Sequence, residues 1–447
     1  MASKSKTTAR TAWSFDEFRT FLAFALIGLA NTILPSLIHA SNYLIIPYPR
    51  HIVILIEVAP VLLTKLTLPF IIHHMPYRTR PLLIAAVWVI LKRIADDTPP
   101  NVPPPIRIAT TVIASIAAAV TEVSCLEMIG QAGLPGLAGW GFGTGAGVLE
   151  NAVWPFLLTY GAGKLLRSAT TYVYYGVALL LVAHFVVLPQ RFSKRGTKND
   201  ARGKQREDAS AEEGQSFLRH DEADGPNHER RRFELLRNLM RSEMLPLFTA
   251  SAAISLSQYG LARPLDGSAF DTFAHFYATY GMSLHLGVWM GRSSLKLLPT
   301  RNFRLHLTAL CAWTAVAFFN AVFLVSTQLS FFLVFLIGSA AGSVYVNVLA
   351  RLVGEERDTV PREVCLGVVT VGDAGGVLVG GVMGALLETS MCSSLVDGRR
   401  WCLASMIGVN LLENPSVGGS TIYTGNIGLT VVELELAAFD MIGGNKC

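Results

Sequence analysis

The sequence predicts an all-α polytopic membrane protein, with about eleven transmembrane helices gathered in two bundles. Three observations carry that prediction. Of 447 residues, 51% are apolar and only 15% charged, whereas soluble domains carry roughly a quarter charged residues. Apolar runs near twenty residues recur along most of the chain, the length an α-helix needs to cross a hydrocarbon layer of about 30 Å. Charge is also uneven: residues 191–241 hold 13 Lys/Arg and 10 Asp/Glu, a third of all charged side chains. With a mean hydropathy of +0.43, the chain is too apolar for a secreted mini-protein, a nucleic-acid binder or a cytosolic enzyme. The net charge of +5 is no nucleic-acid footprint, because the basic residues alternate with apolar blocks instead of forming a stripe.

Taken in order, residues 1–17 are a polar, basic, cytosolic N-terminus (Lys4, Lys6, Arg10) without the features of a cleaved signal. Residues 18–190 form a first bundle of six spans, near 18–37, 52–72, 81–95, 106–129, 140–162 and 170–189. The third is short and closes on Lys92-Arg93, and the fourth runs into the fifth through glycines. Residues 191–241 read as a disordered cytosolic linker, polar and charge-alternating, with too little apolar surface to fold. Its Arg230-Arg231-Arg232 is either a solvated charge run or a contact with anionic membrane lipid. A second bundle, 242–390, holds five spans near 244–262, 272–291, 303–325, 328–351 and 364–388. Residues 391–447 are a divergent tail with no further convincing span and no prenylation signal at Asn445-Lys446-Cys447.

Sidedness follows from the bases. With the N-terminus inside, cytosolic segments and span ends collect 26 Lys/Arg against 7 on the opposite side, so the N-terminus and central loop are placed in the cytosol. Two helical halves around one loop suggest an internal duplication of the kind transporters use. Basic, helix-breaking loops recur after the second span of each half: His73 to Arg80, and Gly291-Arg292-Ser293-Ser294 with Lys296. Arg80 and Arg292 are therefore expected as matched cytosolic hinge or gate charges, pairing with acids or helix C-termini in one conformation.

Ionisable groups at bilayer depth face a cavity, a partner or water, since lipid exposure costs at least about 2.5 kcal/mol. Glu57 and Lys65 share the second span, about 80° apart at 3.6 residues per turn, so both can point inward at different depths. Glu57 can take a proton or a cation, and Lys65 can hold an anion as a point charge. The alternative has Lys65 snorkelling and Glu57 near an interface. Glu122 is preferred over Glu127, which lies about 140° away round the same helix, and a low-dielectric setting suits Glu122 to proton coupling. Asp373, mid-span among glycines, is a third pathway candidate, with a hydrogen-bonded packing role as its alternative. Asn347 is expected to donate to a polar solute. Tyr277 and Tyr280 do likewise or sit as interfacial aromatics.

Gly372, Gly376, Gly380 and Gly384 line one helix face and read as a close-packing surface, extended to a sliding face between the halves. Gly141, Gly143, Gly145 and Gly147 alternate at period two, which predicts an unwound, cavity-lining segment. His73-His74 makes no metal pair, as neighbours on a helix point apart and no third ligand follows. Gly163-Lys164-Leu165 lacks the rest of a phosphate loop. Cys125, Cys311 and Cys365 fall in apolar runs and read as small hydrophobes. No metal, cofactor or catalytic site is called for, and any transport would be secondary or facilitated.

Asn31, Glu57, Pro60, Lys65-Leu66, Pro69-Phe70, Pro76-Tyr77 with Arg80, Glu122 and Gly139-Trp140 recur in a known order. They are followed by Tyr277, Tyr280, Arg292-Ser293-Ser294-Leu295, Tyr345-Val346-Asn347, Arg362-Glu363 and Asp373. Over 18–395, apart from the central loop, the chain resembles the battenin family of ceroid lipofuscinosis membrane proteins and their fungal vacuolar relatives. The resemblance implies an eleven-helix variant of the major facilitator fold in the vacuolar or lysosomal membrane. It also implies transport of basic amino acids or glycerophosphodiesters, with a part in vacuolar pH homeostasis. Two positions depart: where the family carries acids, this chain has Ile254 and Ile337, so no charge preference is carried over. Two functions remain: a carrier of a small polar solute, coupled or not to protons, or a non-transporting adaptor whose 191–241 linker recruits trafficking or pump proteins.

Overall fold

A computed structural model describes residues 14–43, 50–72, 75–97, 104–159, 171–189, 240–265, 273–295, 303–323, 325–354 and 362–397. Among them stand eleven α-helices and no strand. The first bundle holds α1 (Phe15–Tyr43), α2 (Arg50–Thr67), α3 (Arg80–Asp97), α4 (Pro104–Ala132), α5 (Leu134–Thr159) and α6 (Tyr172–Val182). The second holds α7 (Leu245–Leu256), α8 (Phe273–Ser293), α9 (Phe303–Phe323), α10 (Thr327–Gly354) and α11 (Arg362–Asp397). The predicted linker (up to residue 239), the tail from 398 and His73-His74 lie outside the described residues. The last helix runs past 390, so its end belongs to the second bundle and not to the tail.

Phe319, Phe323 and Leu305 of α9 expose most of their surface, an apolar rim that suits acyl chains and not water. Cys311, on the same helix, is exposed as well, whereas Cys125 and Cys365 are buried as expected. Among the described residues, five helices are long and apolar enough to cross a bilayer by length and composition alone. α2 carries Arg50, Glu57 and Lys65 within its 18 residues; Glu57 and Lys65 belong to the site and Arg50 to a contact with the other bundle.

Small residues set the spacing between helices. Gly133, at φ 72°, ends α4 in the left-handed region and turns the chain into α5 within one residue. A Cβ added at Gly139 or Gly143 would run into the carbonyl oxygens of Phe21 and Ala25 on α1. A Cβ at Gly141 would meet Arg292 O and Val346 of the other bundle, and one at Gly145 would meet Trp289. The period-two glycines thus belong to a continuous helix (α5) that presents one bare face to α1 and another to α8, correcting the expectation of an unwound segment. On α11, Gly372, Gly376 and Gly380 face the backbones of Met244, Phe248 and Ala252. That stripe packs α11 against α7 inside the second bundle and is not a sliding face between halves. The bundles meet instead where α5 packs on α8 and α2 and α4 pack on α11.

Candidate functional site

A cavity of about 380 Å³ opens between the bundles where α2 and α4 pack against α11. Glu57, Lys65 and Glu122 line it from the first bundle; Arg292, Tyr345 and Asp373 line it from the second. Lys65 is the centre. It is 2% exposed, with Nζ 2.9 Å from Glu122 Oε2 and 3.6 Å from Asp373 Oδ2. It does not snorkel: an ammonium at this depth is held by carboxylates from both bundles. Ser251 Oγ of α7 donates a hydrogen bond to Asp373 Oδ1. Glu57 lies over two turns away along α2, and His39 Nδ1 stands 3.9 Å from its Oε1.

Arg292 ends α8 on the cavity wall. Its guanidinium rests 4.4 Å over the Tyr345 ring, and Tyr345 OH accepts a hydrogen bond from Trp140 Nε1 at 3.2 Å. Among the described residues no carboxylate lies within ion-pair distance of Arg292, and its Nε is buried without a hydrogen-bond partner. In this conformation it pairs with neither an acid nor a helix end among the described residues and stands as a cavity cation cushioned by an aromatic face.

Arg80 does what Arg292 does not. Its Nη1 meets Glu127 Oε2 at 2.5 Å, and Nε and Nη2 donate to the carbonyls of Met75 and Ile72 at 3.0 and 2.7 Å. Tyr77 OH donates to the other Glu127 oxygen at 3.0 Å, and the Tyr77 ring lies 4.2 Å beneath the guanidinium. Glu127, set aside in favour of Glu122, is the acid of this latch at the end of α2.

Three further candidates do not line the cavity. Asn347 is buried in α10 and donates back to Ser343 O at 2.8 Å. Tyr280 is fully buried and donates to Ser257 O at 3.0 Å, neither a solute donor nor a belt aromatic. Tyr277 OH accepts from Arg50 Nη2 at 3.2 Å. That contact belongs to a second bridge between bundles. Arg50 Nη1 of α2 meets Glu388 Oε2 of α11 at 2.8 Å, and Arg263 Nε meets Glu388 Oε1 at 2.8 Å. Sequence reasoning missed Arg50, Arg263 and Glu388 because each falls at or just beyond the edge of an apolar run, where a charge reads as an interfacial flank. Their burial is a product of helix crossing. Ile254 and Ile337 do not line the cavity, and Ile337 is core.

A model of the CLN3 protein family matches residues 22–394. The chain belongs to the CLN3 protein family. That family is the battenin family of the sequence resemblance, and the match contains all the cavity residues. Protein btn-1 of Neurospora crassa is 28% identical over 86% of this chain and 90% of its own length. Protein BTN1 of Chaetomium globosum is 30% identical over 85% and 90%. Among solved structures, the E. coli xylose transporter XylE, in a partially occluded inward open conformation, matches with a TM-score of 0.44 and 12% identity. The match covers 85% of this chain and 95% of that one.

Proposed function

We propose that this CLN3 family member is a secondary transporter that carries a small polar solute with an anionic group through the central cavity by alternating access. The observation that carries the proposal is a cavity between the bundles lined by opposed charges from both, where no acid among the described residues pairs with Arg292. Lipid-exposed charge is costly, and a chain that only scaffolds other proteins gains nothing from gathering Glu57, Lys65, Glu122, Arg292 and Asp373 around a cavity. Of the two solute classes implied by resemblance, the geometry favours glycerophosphodiesters over basic amino acids. A phosphate finds the Arg292 fork, which suits bidentate anion binding. A cationic group finds two of the cavity carboxylates, Glu122 and Asp373, already held by Lys65, and Glu57 facing His39. We place this activity in the vacuolar or lysosomal membrane, with the N-terminus and central loop cytosolic, where solute export would bear on compartment pH.

Reconstituted vesicles loaded with labelled glycerophosphocholine test this. Wild-type protein is expected to exchange it, and excess arginine to leave the exchange unaffected. Lys65→Met and Arg292→Gln are each expected to lower exchange at least about tenfold at equal incorporation, the loss of one charged contact. Wild-type vesicles without exchange, or both variants at wild-type flux, would overturn the assignment. Deleting 195–235 should leave flux intact, whereas an adaptor acting through its linker would lose its cellular effect.

A further inference from the structure

The two carboxylates that share Lys65 differ in what they keep when the bundles part. Glu122 on α4 and Lys65 on α2 belong to the same bundle, and their 2.9 Å pair travels together. Asp373 belongs to the other bundle and reaches Lys65 only across the boundary, at 3.6 Å. Its remaining bond, from Ser251 Oγ, comes from α7, and α7 is locked to α11 by the Gly372, Gly376 and Gly380 contacts. Any rocking that separates α2 from α11 at this depth therefore removes the ammonium from Asp373 and leaves it a neutral hydroxyl. Glu122 loses nothing in the same motion.

Other ionisable groups on the elements around α11 do not change this inventory. Glu57 lines the same cavity from the first bundle and faces His39 of that bundle. Tyr345 and Arg292 share the cavity wall from the second bundle, with Arg292 seated on the Tyr345 ring. Tyr259, in the turn after α7, also lines the cavity, on the side of Arg50. Glu243, just before α7, is met by Arg351 at 3.4 Å, and Arg263 is bound to Glu388 near the far end of α11. Arg292 is the one cation of the second bundle on the cavity wall among the described residues, and in the loaded carrier it is engaged by the anionic group of the solute.

We propose that Asp373 is the proton-binding site that couples solute movement to a proton gradient, Lys65 and the proton being alternative occupants of the same carboxylate. The inference rests on the transport assignment above and adds the coupling ion and its site. As Lys65 withdraws with the first bundle, Asp373 takes a proton from the water of the compartment to which the cavity is then open. When Lys65 returns, the proton leaves to the opposite compartment. Since the anion occupies Arg292 in the same step, one proton and one anionic solute move in the same direction. A bare carboxylate in a cavity with no cation of its own would oppose the motion, so unprotonated loaded carrier turns over slowly.

Vesicles holding equal amounts of wild type, Asp373→Asn, Asp373→Glu or Glu122→Gln, each verified as folded by its melting transition, separate the outcomes. Labelled glycerophosphocholine is the probe. Exchange with solute on both sides is measured beside accumulation driven by an imposed pH gradient, and an internal pH dye follows protons. In Asp373→Asn, accumulation and solute-dependent proton movement are expected to fall at least about tenfold more than exchange. Asp373→Glu is expected to retain coupling, and Glu122→Gln to lower exchange and accumulation in parallel. The inference is overturned if wild type exchanges solute but ignores the pH gradient, if Asp373→Asn still accumulates, or if its two rates fall together. Wild type that exchanges nothing defeats the transport assignment first, and coupling with it.

Discussion

Arg80 and Arg292 stand in corresponding basic loops of the two halves, yet the protein uses them in opposite ways. Arg80 meets a carboxylate, two carbonyls and a ring, all from the first bundle. Arg292 has one ring and an open cavity. A saturated guanidinium holds a loop against a helix end, while an unsaturated one of the same chemistry is available to something the chain does not supply. The difference lies in the partners that tertiary packing brings up, because Glu127 stands opposite Arg80 and, among the described residues, no acid comes within ion-pair distance of Arg292.

The sharpest way to break that comparison is Arg80→Gln, which leaves Glu127 buried without its cation. It is expected to cost about 3–5 kcal/mol, read as a large drop in melting temperature and folded yield in detergent. Restored stability in Arg80→Gln with Glu127→Gln would place the penalty on the orphaned charge. Arg292→Gln is expected to behave inversely, with a melting temperature close to wild type and solute exchange lowered by about 2 kcal/mol of transition-state binding, roughly thirtyfold. Equal melting losses in the two variants would erase the distinction. Glycine substitutions sharpen it at backbone level. Gly143→Ala pushes α5 off α1 within one bundle, and overpacking of this kind costs about 1–3 kcal/mol in stability. Gly141→Ala presses on Arg292 O and Val346 across the boundary, so flux should fall by a larger factor than stability does. The smallest effect is assigned to Tyr277→Phe. It removes the hydrogen bond from Arg50 but keeps the ring beside it, and should cost about 1 kcal/mol or less in thermal unfolding.

Much of the fold was legible because bilayer length and hydropathy act on each helix separately. All eleven apolar runs appear as helices among the described residues, with ends shifted by up to nine residues. Of the site, Glu57, Lys65, Glu122 and Asp373 were legible for the same reason: a charge inside a long apolar run has few places to go. Asn347 and Tyr280 were misplaced because a polar side chain can satisfy itself on its own helix or a neighbour, as both do. The glycine patterns announced close packing correctly, but which helix each bare face meets is not encoded in their spacing. The Arg50–Glu388 bridge was invisible because residues 50 and 388 meet only through the crossing of α2 and α11.

The sequence by itself determined that the chain is a bundle of membrane helices and that Glu57, Lys65, Glu122 and Asp373 lie within it, since both follow from local hydropathy. Only the tertiary structure decided that Lys65 joins two carboxylates from opposite bundles, that Arg80 is saturated and that Arg292 is not. Those outcomes depend on distances of a few ångströms between residues far apart in the chain, and Coulomb and hydrogen-bond energies at that range are set by how the helices cross.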